Sequence, residues 1–180
     1  MPAVQALSSN ELKANERQAL RELFDAAWAD DPDGFTDDDW DHAMGGRHFI
    51  IEESGSIVAH AAVVERELHA GGRQLATGYV EAVATHPSHQ RRGFGSAVME
   101  SVNAHIDETF QLGALGTGVQ GFYGRLGWLV WKGPTFVRTD SGLIRTAEED
   151  AGIMVRFTQA SPELDLSEAI SCDWRPGDVW

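Results

Sequence analysis

Residues 86–100 read HPSHQRRGFGSAVME, and the chemistry this stretch could do is to hold an anion. A strand that runs into a glycine-bearing turn and then a helix leaves unpaired backbone N–H groups at the positive end of the helix dipole, where a phosphate binds. Gly93 and Gly95 let the backbone come close, while Arg91 and Arg92 add charge. The competing reading is a solvated turn whose arginines pair with nearby acids. Two nucleotide patterns are excluded: there is no G-x-x-x-x-G-K-[ST], and Gly93-Phe94-Gly95 lacks the third glycine of the dinucleotide fingerprint. A metal is not expected. His42, His48, His60, His69, His86, His89 and His105 form no spaced ligand pairs and read as structural or surface residues, and Cys172 is the single cysteine.

The elements that would position this loop follow from periodicity. SSNELKANERQALRELFDAAW offers Ser8 and Glu11 as a capping box, with Leu12, Leu20, Leu23, Phe24 and Ala27 on one face of a first helix. FTDDDWDHAMGG predicts a short helix capped by Thr36 and ended by Gly45 and Gly46. From Arg47 to Thr85, β-rich runs broken at Ser54-Gly55 and Gly71-Gly72 predict three consecutive antiparallel strands. Phe94, Val98, Val102 and Ile106 mark the helix after the loop. Beyond it come a strand at FQLGAL, a short helix at VQGFYGRLG, and strands at WLVWKG and GIMVRF. No repeat or linker interrupts them, so the expectation is one α+β domain over residues 1–180.

Fourteen basic against 28 acidic residues give a net charge of -14. That balance speaks against nucleic acid or an anionic membrane as partner and for a cationic small molecule or basic partner, although many soluble proteins are simply acidic. No apolar run reaches the ~20 residues of a membrane span. The N-terminal MPAVQALSSNELKANE lacks the order of a secretory signal, and the expected compartment is the cytosol.

The order of elements, together with Gln90-Arg91-Arg92-Gly93-Phe94-Gly95, resembles the GNAT acyltransferase superfamily, whose Q/R-x-x-G-x-G/A loop binds the pyrophosphate of acetyl-CoA. FYGRLGW resembles its second signature. GYVEAVAT, FQLGAL, WKGPT and above all CDWRPGDVW are similar to the aminoglycoside 2′-N-acetyltransferases, a likeness running from about residue 35 to the last residue. The resemblance implies a central, mostly antiparallel mixed sheet, splayed at the acetyl-CoA site and flanked by helices. It also implies a homodimer.

By that resemblance, the strand holding Val83, Ala84 and Thr85 pairs through its backbone with the pantetheine arm, and the amides of Arg91 to Ser96 receive the pyrophosphate. Acyl transfer needs a neutral amine, so a base must take a proton from the ammonium. The resemblance makes Glu81 that base, acting through ordered water, Tyr123 the acid that protonates the thiolate, and the Val83 amide the donor to the oxyanion. Alternation puts Tyr79, Glu81 and Val83 on one strand face. An aminoglycoside carries several ammonium groups, and the matching acidic and aromatic positions are Asp39, Trp40, Glu81, Glu148, Glu149 and Asp178, with the free carboxylate of Trp180. The sequence departs from relatives in having Glu149 for aspartate and a short GTGVQG loop. Another amine, such as a polyamine, a cell-wall amino sugar or a protein lysine, and a non-catalytic acyl-CoA-binding module remain the alternatives.

Overall fold

The computed structural model describes residues 2–180. In chain order the elements are β1 (Gln5–Ser8), α1 (Ala14–Ala27), α2 (Asp37–Ala43), β2 (Arg47–Glu53), β3 (Ser56–Ala70), β4 (Arg73–Thr85), α3 (Phe94–Thr109), β5 (Leu112–Gly116), α4 (Gln120–Gly124), β6 (Leu129–Val130), β7 (Thr135–Thr139), β8 (Gly142–Arg145), β9 (Ile153–Phe157) and β10 (Ile170–Asp173). The strands form one mixed sheet in the order β6-β9-β5-β4-β3-β10-β7-β8, with β2 also pairing β3 and β1 pairing β2. The fold is α+β, as expected.

Two tight turns set the frame for β2, β3 and β4. Ser54 and Gly55 have φ of 54° and 83°, and Gly71 and Gly72 have φ of 57° and 70°. A two-residue turn with both residues left-handed matches the twist of the strands it joins, so these dipeptides fix the hairpins. By internal contacts the chain divides into two compact units: one runs to Val64 and includes Val80–Ala104, the other comprises Glu65–Tyr79 and His105–Trp180.

In the first unit, Leu20, Leu23 and Phe24 of α1 pack with Leu12, Ile50, Ile57 and Ala84. Burying each large apolar side chain contributes roughly 1.5 to 3 kcal/mol. The helix starts later than Ser8 suggested. Ser8 does meet Glu11, its N–H and hydroxyl donating to Glu11 Oε2 at 2.7 and 2.9 Å, but this pair closes a turn at the end of β1. Residues 5–8 are held extended by antiparallel pairing with Ile50 to Arg47 of β2. The cap falls instead at Lys13, whose N–H donates to Glu16 Oε2 at 2.7 Å. Helix α2 begins where expected: Thr36 Oγ1 accepts from the Asp39 N–H at 3.2 Å.

In the second unit, β5 lies parallel to β4 from Thr77↔Leu112 to Tyr79↔Ala114, and β9 runs antiparallel to β5 on its other side. Strands β7, β8 and β10 have no counterpart in the periodicity reading. β10 lies antiparallel to β3 and parallel to β7. WKGPT gains a structural reason here: a Cβ on Gly133 would sit 1.8 Å from the Glu168 carbonyl oxygen, so only glycine lets the two backbones pass.

Candidate functional site

Strand β4 and the loop after it belong, from Val80 onward, to the first unit. The β4–β5 ladder ends at Tyr79↔Ala114, while β4 continues to Thr85. Within that extension Ala82 has φ of 50°, a left-handed residue inside a strand. Such a conformation costs about 1 to 2 kcal/mol for a residue with a Cβ and marks a bulge. A left-handed residue between Glu81 and Val83 also interrupts the regular alternation on which their shared face was expected. Glu81, Val83 and Thr85 are half-buried and Ala84 is buried.

After Thr85 the His86 N–H donates to the Val58 carbonyl at 2.9 Å, and residues 87–89 make a single 3-10 turn. Arg91 and Gly93 then adopt φ of 60° and 87°, and α3 begins at Phe94. A backbone curled in this way makes a concave set of amides, and the first-turn N–H groups at Gly95 and Ser96 add to it. Phe94 is buried and anchors the turn. The loop therefore fits a phosphate group through its backbone.

The two arginines differ. Arg92 donates from Nη1 and Nη2 to Glu53 Oε2 and Oε1 at 2.9 and 2.8 Å, and His89 Nε2 lies 3.1 Å from the same carboxylate. The Arg92 bond, ahead of any other influence, holds the Glu53 carboxyl below its usual range. Arg92 is thus in the ion pair that was the competing reading, although both arginines are exposed. The Gln90 amide reaches back to the Thr85 carbonyl at 3.5 Å.

The second unit contains an acidic cleft of about 430 Å³ lined by Glu148, Glu149, Asp178 and Trp180 together with Gly116 and Gly152. Burial, then the charges of Asp178 and Glu148, push the Glu149 pKa up. Like charges drawn together at a half-buried position disfavour ionisation unless a cation is bound. Trp180 is 4% exposed, and its indole Nε1 donates to Thr146 Oγ1 at 3.0 Å. A Cβ on Gly116 would lie 3.8 Å from the main-chain carbonyl carbon of Trp180, which puts the Trp180 backbone beside the cleft.

The residues that hold this tail were not legible locally. Thr146 Oγ1 donates to Thr135 Oγ1 at 2.9 Å, and Thr135 Oγ1 donates to the Thr146 carbonyl at 2.6 Å. The Thr135 N–H meets Asp150 Oδ1 at 3.1 Å, and Asp150 pairs with Arg145, which brings its pKa down to about 2. Arg66 Nη2 donates to the Val179 carbonyl at 2.8 Å, which Cys172 Sγ also approaches at 3.1 Å. The segment that leads to Trp180 is thus tied at several points.

Tyr123 on α4 is buried, its ring 4.9 Å from Phe122 and 6.5 Å from Trp128. Burial pushes its hydroxyl pKa up to about 12, so it carries its proton at neutral pH. Asp39 and Trp40 lie in the first unit. Asp39 Oδ2 accepts from the Thr36 N–H and hydroxyl, both at 2.8 Å, and Trp40 packs near Phe24 with the Arg21 guanidinium 4.0 Å above its ring. Neither is in the acidic cleft. Sequence spacing also could not bring Asp173 to Glu67 and His69, yet among the described residues these three place ligand atoms within 4.8 Å of one another. No helix among the described residues is long and apolar enough to cross a membrane.

A family model for an acetyltransferase (GNAT) domain matches residues 9–130. An aminoglycoside 2′-N-acetyltransferase from Mycolicibacterium fortuitum is 41% identical over 176 residues, covering 96% of this chain and 89% of that protein. Solved structures share the fold at low identity. Escherichia coli ElaA superposes with a TM-score of 0.63 at 18% identity, covering 87% of this chain and 99% of its own. The GNAT family N-acetyltransferase YhbS from Escherichia coli, in complex with CoA, gives 0.63 at 10% identity, over 94% and 88% of the two chains.

Proposed function

The chain belongs to the GNAT acetyltransferase family, and from that premise we propose that it transfers the acetyl group of acetyl-CoA to the 2′-amino group of aminoglycosides. The observation that carries the substrate class is the acidic cleft, where Glu148, Glu149 and Asp178, beside the anchored Trp180, offer sites for ammonium groups. Asp39 and Trp40 are already engaged in capping and packing, so any contact they make with substrate is added to those duties.

Acetyl-CoA supplies an acyl group activated as a thioester. The amides from Arg91 to Ser96, with Gln90 bracing the turn, hold its pyrophosphate. The backbone of Val83, Ala84 and Thr85 pairs with its pantetheine arm. The Val83 N–H donates to the carbonyl oxygen as negative charge gathers there. Glu81 receives, through water, the proton that the amine gives up. Tyr123, protonated at neutral pH, gives its hydroxyl proton to the departing sulfur. One C–N bond forms and one C–S bond breaks; starting from the ammonium, nitrogen loses two protons, one to Glu81 through water and one to solvent, and the tyrosinate left after protonation of the sulfur regains its proton from solvent. A homodimer belongs to the same reading, and the exposed Leu143 and Ile144 of β8 with Trp174 offer apolar surface for it.

The test is CoA release across aminoglycosides bearing a 2′-amino or a 2′-hydroxyl group, with spermidine and a lysine peptide as controls. Turnover confined to the 2′-amino compounds is expected. Turnover of the controls alone would replace the substrate assignment and leave the acetyl-transfer assignment standing.

A further inference from the structure

Two buried histidines have no part in the chemistry above, and both are wholly shielded from solvent. His60 of β3 places Nδ1 2.7 Å from the carbonyl oxygen of Ala82, the left-handed residue in β4. His60 Nε2 lies 2.9 Å from His48 Nδ1, His48 Nε2 lies 2.7 Å from Ser9 Oγ, and Ser9 Oγ lies 3.0 Å from the Gly46 carbonyl. The His60 ring is held edge-on to Phe24 at 5.0 Å.

The protons in this chain are fixed by its ends. A carbonyl oxygen only accepts, so His60 Nδ1 carries a hydrogen. A neutral His60 then accepts at Nε2, so His48 donates from Nδ1 and accepts at Nε2 from the Ser9 hydroxyl. That leaves no hydrogen for the Ser9–Gly46 contact. A further proton on either ring would fill the gap, but burial, followed by Arg17 for His48 and by His48 for His60, lowers the two pKa values to about 4 and about 3. Arg17 stands next to the outer end of the chain, donating to the Ser9 carbonyl. Both rings are therefore neutral at pH 7, and both carry the hydrogen on Nδ1.

We propose that His60, oriented by His48, is a positioning residue: its Nδ1–H holds the Ala82 carbonyl in the β4 bulge and so sets the directions of the Val83 amide and the Glu81 carboxylate on either side. The inference rests on the acyl-transfer roles given to those two neighbours. Its physical basis is that a strained residue persists only where its surroundings hold it, and here a buried donor on the adjacent strand does so. One misplaced ångström at reacting groups costs on the order of 100-fold in rate.

Two polar substitutions separate positioning from mere packing. In His60→Asn the amide nitrogen can occupy the place of Nδ1 and keep the bond to Ala82. In His60→Gln the amide reaches the place of Nε2, keeps the contact with His48 and gives up the Ala82 bond. Calorimetric titration with acetyl-CoA needs no acceptor amine, so it reads the bulge even if no aminoglycoside is acetylated. His60→Asn should stay within about 3-fold of wild type, while His60→Gln should bind about 10-fold more weakly and lose about 100-fold in kcat on any amine that is turned over. Equal affinity and kcat in the two variants, whether high or low, would overturn the proposal. Should neither variant fold, nitrogen-15 NMR of the wild-type imidazoles decides: hydrogens on Nδ1 of both rings are expected, and a hydrogen on Nε2 of His60 in place of Nδ1 would overturn the assignment.

Discussion

Glu149→Gln offers the sharpest test of the acidic cleft, because it should move stability and substrate binding in opposite directions. In the folded chain the Glu149 carboxyl has its pKa raised by burial first, then by Asp178 and Glu148. A carboxyl whose folded pKa exceeds its unfolded value binds protons more readily in the folded state. Its ionisation therefore lowers stability as pH rises from the unfolded value of 4.5 through the folded one. Glutamine removes that loss. The variant should melt at a higher temperature than wild type at pH 7, and the difference should vanish below pH 4.5.

Binding should suffer instead. A charge-assisted contact to an ammonium contributes roughly 1.5 to 3 kcal/mol, or about 10- to 150-fold in affinity. Glu149 is half-buried and the carboxylates of Glu148 and Asp178 remain at the cleft, so screening and redundancy place the expected rise in KM near 10-fold. Acetyl-CoA affinity should not change. The assay pairs steady-state kinetics on a 2′-amino aminoglycoside with thermal melts of the same preparations. A higher melting temperature with an unchanged KM would refute the reasoning, since the carboxylate would then be strained for no ligand's sake.

Other outcomes follow from the same coordinates. Arg91→Ala should weaken acetyl-CoA binding more than Arg92→Ala in calorimetry, because the Arg92 guanidinium is already committed to both oxygens of Glu53. Tyr123→Phe should lower kcat by roughly 10- to 1,000-fold, the range of a lost general acid. A hydroxyl pKa of about 12 further predicts that this group causes no fall in the wild-type rate between pH 7 and 10. Asp178→Asn should raise aminoglycoside KM in the same direction as Glu149→Gln, and the two should be less than additive if they share one cationic ligand.

The parts of this molecule that were legible in the sequence are those whose cause is local. Ser54-Gly55 and Gly71-Gly72 are turns because of their own backbone freedom, and Thr36 caps α2 with groups three residues away. Ser8 and Glu11 show the limit: the side chains meet as a capping box does, yet distant β2 claims the preceding backbone and makes it a strand. β7, β8 and β10 escaped the periodicity reading because β10 acquires its meaning only by sitting between β3 and β7. The bulge at Ala82 leaves no mark in GYVEAVAT, since alanine is not a residue that asks for a positive φ. What permits it lies 22 residues upstream, on a histidine whose identity suggested nothing more than burial. The tail is similar: Trp180 drew attention by its size, but the threonines that fix it are ordinary in sequence.

A chain of charge -14 that is to hold both an anionic nucleotide and a cationic amine faces opposite electrostatic demands. At the loop the formal positive charge is smaller than the two arginines suggest, because Glu53 neutralises Arg92. What remains is chiefly the curl of amides set by Arg91 and Gly93 and the first turn of α3. Backbone dipoles do not appear in a count of charged residues, and they act over a turn or so. An anion site made this way leaves the rest of the surface free to be acidic. The excess of carboxylates can then be gathered where an ammonium is wanted, as around Glu149, without a compensating cluster of lysines on the loop. Under the proposed function, acidic composition and nucleotide binding are thus compatible because different parts of the peptide meet the two ligands: main-chain N–H groups at the loop for the anion, side-chain carboxylates at the cleft for the amine.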